Sequence, residues 1–166
     1  MSAKTYKTYN GAMPTTAAMP LVATGTSIKT LLQIATPSTE QLRVIAWGIS
    51  FDGSAAATPG KVELIETDVA ATVTAHVASG IIKLNSPNDV ASLVTLGTSA
   101  TGYTATAEGT ITATRLLDYQ QIAPTGQYGW QNPLGREWEV NSSKFLRVRV
   151  TFGATVNATC WVEWEE

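Results

Sequence analysis

The sequence predicts an all-β fold: an antiparallel two-sheet β-sandwich, jelly-roll-like, with an extended N-terminal arm. Three observations lead there. Apolar residues recur at every second position over several long stretches, the period of a half-buried strand. No amphipathic helix of ordinary length can be placed anywhere along the chain. The 166 residues include 25 threonines, which, with valine, isoleucine and aromatic residues, suit a pleated surface. About eight to ten short strands separated by turn residues read as a sandwich, and their uneven lengths argue against a closed barrel. No fixed internal period marks a solenoid or propeller.

In chain order, residues 1–25 mix Thr, Ala and Met with Pro14 and Pro20 and show no sustained period. They read as an arm, and residues 26–166 as the sandwich domain. Ser27 to Ile34 gives a first strand, ending before Pro37. Gln41 to Phe51 gives a long second one, with Ile45, Trp47, Ile49 and Phe51 on one face. Asp52 to Gly60 (DGSAAATPG) supplies turn chemistry, because Asp-Gly tolerates positive φ and Pro59-Gly60 interrupts a ladder. Lys61 to Thr67 and Val69 to Val77 follow, the latter alternating Val69, Ala71, Val73, Ala75 and Val77 against mostly polar neighbours. Short strands are expected at Ile81 to Leu84 and Ser92 to Leu96, around the turn NSPND. A Thr/Ala/Gly-rich run then reads mostly as loop, with an extended piece at Tyr103 to Ala107. Gly109 to Tyr119 is a further strand. Ser143 to Phe152 and Ala158 to Trp164 close the chain as a hairpin around GATVN.

Composition narrows the function. Charged residues make up 14% of the chain and hydrophobic residues 44%, against a typical charged share of about 25%. A surface so poor in charge suits a protein that is built into a large assembly. The formal charge is −2 and no basic stripe exists to neutralise phosphates, so nucleic-acid binding is disfavoured. Arg147 and Arg149 alternate in one expected strand and therefore share a face, which reads as solvated or partner-facing. No stretch approaches the ~20 apolar residues that span a bilayer, and the N-terminus lacks the apolar run of a signal peptide. A protein made in a cytoplasm and soluble unless it is assembled into something is expected, with no membrane partner. Cys160, the one cysteine, reads as a small buried hydrophobe.

Catalytic constellations are sparse. The single histidine, His76, falls on the polar side of its expected strand and reads as exposed and unspecialised. Zinc needs three or four converging ligands, which one His and one distant Cys do not provide. A serine triad needs His and an orienting carboxylate, and no GxSxG occurs. Asp52, Glu63, Glu66, Asp118 and Glu137 are candidate carboxylates for glycoside hydrolysis, but no spacing singles out a pair. GTSATG lacks the lysine and helix of a phosphate-cradling loop. Asn85, Asn88 and Asp89 are better read as a turn around Pro87 than as a calcium site. The expectation is a protein that is not an enzyme, with no cofactor and no metal.

Two segments are the candidates for partner binding. In the arm, Tyr6, Tyr9, Met13 and Met19 could anchor a strap on a neighbouring subunit; the alternative is a loose terminus. Tyr119 to Val140 reads as a long loop with little periodicity, and loops of that length usually have a task. Its Tyr128, Trp130, Arg136 and Trp138 have the composition of interface hot spots. The same tryptophans could instead close one end of the sandwich, or Trp130 or Trp138 could stack on a glycan.

Several strings also resemble a known family: WGISFDGSAAATP, VELIETDVAATVTAHVASG, LGTSATGYTATAEGTITATR, PLGREWEV and KFLRVRV. Over roughly Ile28 to Glu166 the chain resembles small virion structural proteins encoded by phages of actinobacteria, of the head decoration or minor capsid type. The resemblance implies a capsid decoration protein on the virion surface. Its partners would be the major capsid protein and copies of itself as a homotrimer, held by many modest contacts on a symmetric lattice. The alternative function is a tail-associated or host-surface glycan-binding module. The strings carry no catalytic motif to transfer.

Overall fold

A computed structural model describes residues 3–54 and 58–166. The fold is all-β, with two antiparallel sheets, as the periodicity predicts. Its strands are β1 (Thr5–Tyr9), β2 (Val22–Ala23), β3 (Lys29–Ala35), β4 (Leu42–Asp52), β5 (Gly60–Thr67), β6 (Thr72–Ala75), β7 (Ile82–Lys83), β8 (Gly102–Ala107), β9 (Thr114–Ile122), β10 (Gln127–Gln131), β11 (Trp138–Val140), β12 (Phe145–Thr151) and β13 (Asn157–Glu165). The first sheet runs β10-β4-β13-β1-β7, with β11 also on β4 and β2 on β13. The second runs β6-β8-β3-β12-β5-β9. The turn expected between Asp52 and Gly60 has residues 55–57 outside the described residues.

Alternation builds the core. From the first sheet, Tyr6, Trp47, Ile49, Phe51, Cys160, Val162 and Trp164 point inward; the second sheet answers with Leu32, Ile34, Val62, Leu64, Leu146 and Val148. Each fully buried aliphatic side chain contributes about 1.5–3 kcal/mol relative to exposure. Burial also pushes the Cys160 thiol up, out of reach of the thiolate form, in keeping with its reading as a small hydrophobe.

Bulges account for the departures in phase. Along β4, Val44 lies opposite Trp164 and Ala46 opposite Glu163, which leaves Ile45 unpaired on this ladder. One extra residue reverses the side-chain parity. Leu42 and Val44 therefore share the core with Trp47, Ile49 and Phe51, while Ile45, expected on the Trp47 face, is only half-buried. Leu31 in β3 and Leu117 in β9 occupy equivalent bulge positions.

The segment expected as an extended N-terminal arm contributes a strand to the first sheet. β1 lies between β13 and β7 in the first sheet, and Asn10 extends the ladder: its Nδ2 donates to the Ala158 carbonyl (3.1 Å), and the Cys160 N–H donates to its Oδ1 (2.8 Å). The inward set Tyr6, Thr8 and Asn10 does alternate with Lys7 and Tyr9. Five residues are too few to stand out beside a proline-bearing stretch that follows no period.

The expected loop Tyr119 to Val140 is also a correction. It contains the end of β9 and all of β10 and β11, which add an antiparallel edge to β4. In contrast, β5 and β9 pair directly although residues 68–113 separate them. That excursion is fastened at its base, where the Asp68 carboxylate accepts from the Thr112 hydroxyl and from the N–H groups of Thr112 and Ala113. These bonds hold the carboxyl down to about 2.

The excursion folds over the outer face of the second sheet and buries what alternation places outside. Arg147 is 0% exposed, not solvated as its pattern implied. Its guanidinium donates to the carbonyls of Val69 and Glu108 and pairs with the Glu108 carboxylate at 3.4 Å. Its cross-strand neighbour Gln33 donates to the carbonyls of Ala100 (2.6 Å) and Ala71 (3.3 Å) and accepts from the Ala71 N–H (2.8 Å). Arg149 pairs with Glu63 at 2.8 Å.

Candidate functional site

The sandwich has two open flanks, and different parts of the chain close them. On one, β9 of the second sheet faces β10 and β11 of the first. The Asp118 carboxylate accepts from the Trp47 indole (3.1 Å) and the Tyr128 hydroxyl (2.8 Å), linking the sheets. Burial and then the bond to Asp118 push the Tyr128 phenol up to about 12. Glu66, a second carboxylate here, accepts from Arg115 at 2.6 Å and from both Asn141 nitrogens at 3.0 Å. Asp118 thus ties β9 to β4 and β10, and Glu66 ties β5 to β9 and to the residue after β11.

The eight candidate residues do not converge. Tyr6 is 1% exposed and belongs to the core, with its hydroxyl on the Val90 carbonyl. Tyr9 is half-buried on the outer face of the first sheet, beside Lys7. Met13 and Met19 are half-buried; the methyl of Met19 lies over Gly11. Tyr128 and Trp138 pack against the core, which leaves neither free as a platform. Trp130 remains 44% exposed, its indole donating to Asn132. Arg136 is exposed, in a turn closed by its N–H on the Pro133 carbonyl.

The opposite flank holds a group that alternation misplaced. His76 is 3% exposed, not solvent-facing. It sits one residue beyond β6, where the chain turns toward the other sheet. Its Nε2 lies 2.8 Å from the Tyr9 carbonyl and 3.2 Å from the Thr8 hydroxyl. Its Nδ1 is buried without a partner. Desolvation lowers the pKa, opposed by the Tyr9 bond. The imidazole is thus a neutral tie between β1 and the excursion.

Beside it, the stretch 77–96 sends Ile81 and Val94 into the core and leaves other large apolar side chains outside. Polar groups hold the segment to the sandwich: Lys4 to Asp89 at 2.6 Å, the Thr5 N–H to Asn85 at 2.8 Å, and the Ser92 hydroxyl and Leu93 N–H to the Glu166 carboxylate at 2.5 and 2.8 Å. Val77, Leu84, Val90, Leu93 and Leu96 remain exposed. On the other flank Leu116, Tyr119, Trp130 and Leu134 are exposed, Leu134 at 98%. Since β7 and β10 end the same sheet, the two apolar flanks lie on opposite sides of the molecule. Large exposed apolar side chains in concentration are the informative kind of surface.

A third surface is the outer face of the first sheet. Trp161, Gly48 and Gly129 form one row across β13, β4 and β10. The indole lies against Gly48, where a Cβ would come within 2.7 Å of the ring. The Lys7 ammonium sits 4.0 Å from the indole centroid and pairs with Glu163 at 2.8 Å. A cleft of about 540 Å³ opens between Trp161 and the backbone and side chains of Ser50, Gln127 and Gly129. Alternation in ATCWVEWEE already separates Trp161, Glu163 and Glu165 from Cys160, Val162 and Trp164, so this surface was open to sequence reasoning.

Among the described residues no group of three or more His, Cys, Asp or Glu side chains could hold a metal ion. Among the same residues no helix is long and apolar enough to cross a membrane. No protein-family model, curated protein or solved structure matches the chain.

Proposed function

We propose that this chain is a structural protein of a tailed-phage particle, a decoration protein that stabilises the head through contacts with the major capsid protein and with copies of itself. The observation that carries the reading is the exposed apolar side of the stretch 77–96. Ile81 and Val94 enter the core, Asn85 and Ser92 bond to Thr5 and Glu166, and Val77, Leu84, Val90, Leu93 and Leu96 face outward. A second apolar flank on the far side, with Leu116, Trp130 and Leu134, lets one molecule be held from two sides at once. Many modest contacts repeated on a lattice add up to firm attachment. The resemblance to actinobacteriophage virion proteins supports the phage context.

The test is mass spectrometry of purified heads together with capsid heat resistance. Copies of the protein on heads, lost in a Val90→Ser/Leu93→Ser variant whose melting temperature is preserved, are the expected outcome. Heads that carry no copies would sink the proposal.

A further inference from the structure

We infer that copies of this chain join head to tail, with Leu134 of one copy seated in an apolar hollow beside β7 of the next. This joining rests on the reading that copies bind one another, and assigns the surfaces that do so.

The projecting surface is the turn between β10 and β11. Asn132 anchors its base and is buried. Its N–H donates to the Ile45 carbonyl and its Nδ2 to the Val44 carbonyl, both at 2.8 Å. The Arg136 N–H then donates to the Pro133 carbonyl at 2.9 Å. Gly135, with a φ of 78°, takes the position where a type II turn requires a positive φ. The Glu137 carboxylate accepts from the Gly135 N–H at 2.9 Å. These bonds fix the turn without using Leu134, which stands 98% exposed at its tip. A Cβ on Gly135 would meet nothing within 4 Å, so the tip is clear of the rest of the molecule. A rigid backbone that presents one bare leucine loses little freedom when that side chain is buried.

The receiving surface lies at the other end of the same sheet. A hollow of about 40 Å³ opens beside β7, and Ala78, Ile81, Ala91, Val94 and Leu96 supply its apolar lining. Ile81 and Val94 belong to the core, so the fold itself fixes the shape. The hollow has room for about three water molecules, enough for the end of one leucine side chain.

Charge agrees with the match. Beside Leu134, the Arg136 guanidinium has no carboxylate partner among the described residues, and Glu137 follows it. At the hollow, Lys83 likewise has no carboxylate partner among them, and the Glu166 carboxylate holds the lining residue Ser92 at 2.5 Å. A cation and an anion at the tip thus meet an anion and a cation at the hollow. Since β7 and β10 end the same sheet, tip and hollow lie too far apart to meet twice in one two-fold pair. Each contact therefore uses the tip of one copy and the hollow of the next, the heterologous kind that builds rows or rings.

The experiment uses the purified full chain in solution, without heads. Sedimentation equilibrium should show a mass that rises with concentration up to about 1 mM. Leu134→Ser removes the tip, and Ala91→Leu fills the hollow from within. Both positions are exposed, so each variant should keep the melting temperature of the parent chain. Alone, each should associate about tenfold or more weakly. Mixed, they should form one-to-one pairs and nothing larger, because one intact tip and one intact hollow remain between them. Arg136→Ala should weaken association by a smaller factor. A parent chain that stays monomeric throughout overturns the inference, as does association that survives Leu134→Ser or Ala91→Leu. Variants that fail to pair on mixing overturn the head-to-tail geometry. Heads that carry unjoined copies would leave the decoration reading standing while this one fails, and joined copies that are absent from heads would do the reverse.

Discussion

The outer faces of the two sheets have opposite fates. Both carry polar side chains at alternate positions, as the strand period requires. On the second sheet, Val69, Ala71, Ala100 and Glu108 of the excursion cover part of that face and bury Gln33 and Arg147 completely, each tied to their backbone carbonyls. On the first, the row Trp161–Gly48–Gly129 stays open and frames a cleft. The difference teaches that alternation reports which way a side chain points, not whether water is there to meet it. A second layer from elsewhere in the chain decides that.

The comparison can be broken most forcefully at Arg147. Removing it by Arg147→Met takes the guanidinium donor from the Glu108 carbonyl and carboxylate and leaves the Val69 carbonyl with only the Thr67 hydroxyl, and should cost about 3 kcal/mol. That is the lower end for breaking a buried pair, since Glu108 is partly open to water. A urea titration checks this, and a loss under ~0.5 kcal/mol, the size of an ordinary surface substitution, would place Arg147 on an uncovered face. Next comes Gly48→Ala, whose Cβ would collide with an indole pinned by Lys7. Overpacking of this kind costs about 1–3 kcal/mol, read from the same titration.

A third test concerns the tie that anchors the covering layer to β1. His76 has a lowered pKa in the folded protein. Above its unfolded value of 6.5, both states are neutral and stability does not depend on it. As pH falls through that value the unfolded chain takes up a proton that the folded one refuses, so stability declines until the folded pKa is reached. Melting temperatures between about pH 8 and about pH 5 should show this decline, and His76→Gln should flatten that part of the profile. An unchanged profile in the variant would remove His76 from this role. The smallest effect sharpens the open face: Gly129→Ala should stabilise by about 0.5–1 kcal/mol, seen as a higher urea midpoint, because nothing crowds its Cβ.

Much of the fold was legible in the sequence. β12 and β13 alternate clearly in sequence, β3 and β4 read as strands despite a bulge in each, and these four supply most of the core. What was not legible has local causes. The bulge at Ile45 reverses parity within a strand, and no single sequence marks it. β1 is too short to be heard beside Pro14 and Pro20. β10 (QYGWQ) has the composition of a loop, and its pairing with β4 is non-local. Arg147 and His76 were misread because the residues that cover them are distant, Val69 and Glu108 for one, Thr8 and Tyr9 for the other. Of the candidate surface residues, Trp130 and Arg136 remain exposed, whereas Tyr6 was absorbed by a strand that period two was too brief to declare.

The position of β1 bears on how the protein is made. Its full-length ladder is with β13, joining residues such as Lys7 and Glu163 near opposite ends of the chain. β7, its other neighbour, offers only two residues. During synthesis β1 therefore leaves the ribosome before β13 and waits for it before its slot exists. Closing so long a loop costs little more than closing one of half the length, but pairings this distant in sequence slow the search. Until then Tyr6 has no core to enter, and β1 is enclosed only after β13, more than 150 positions on, has been made.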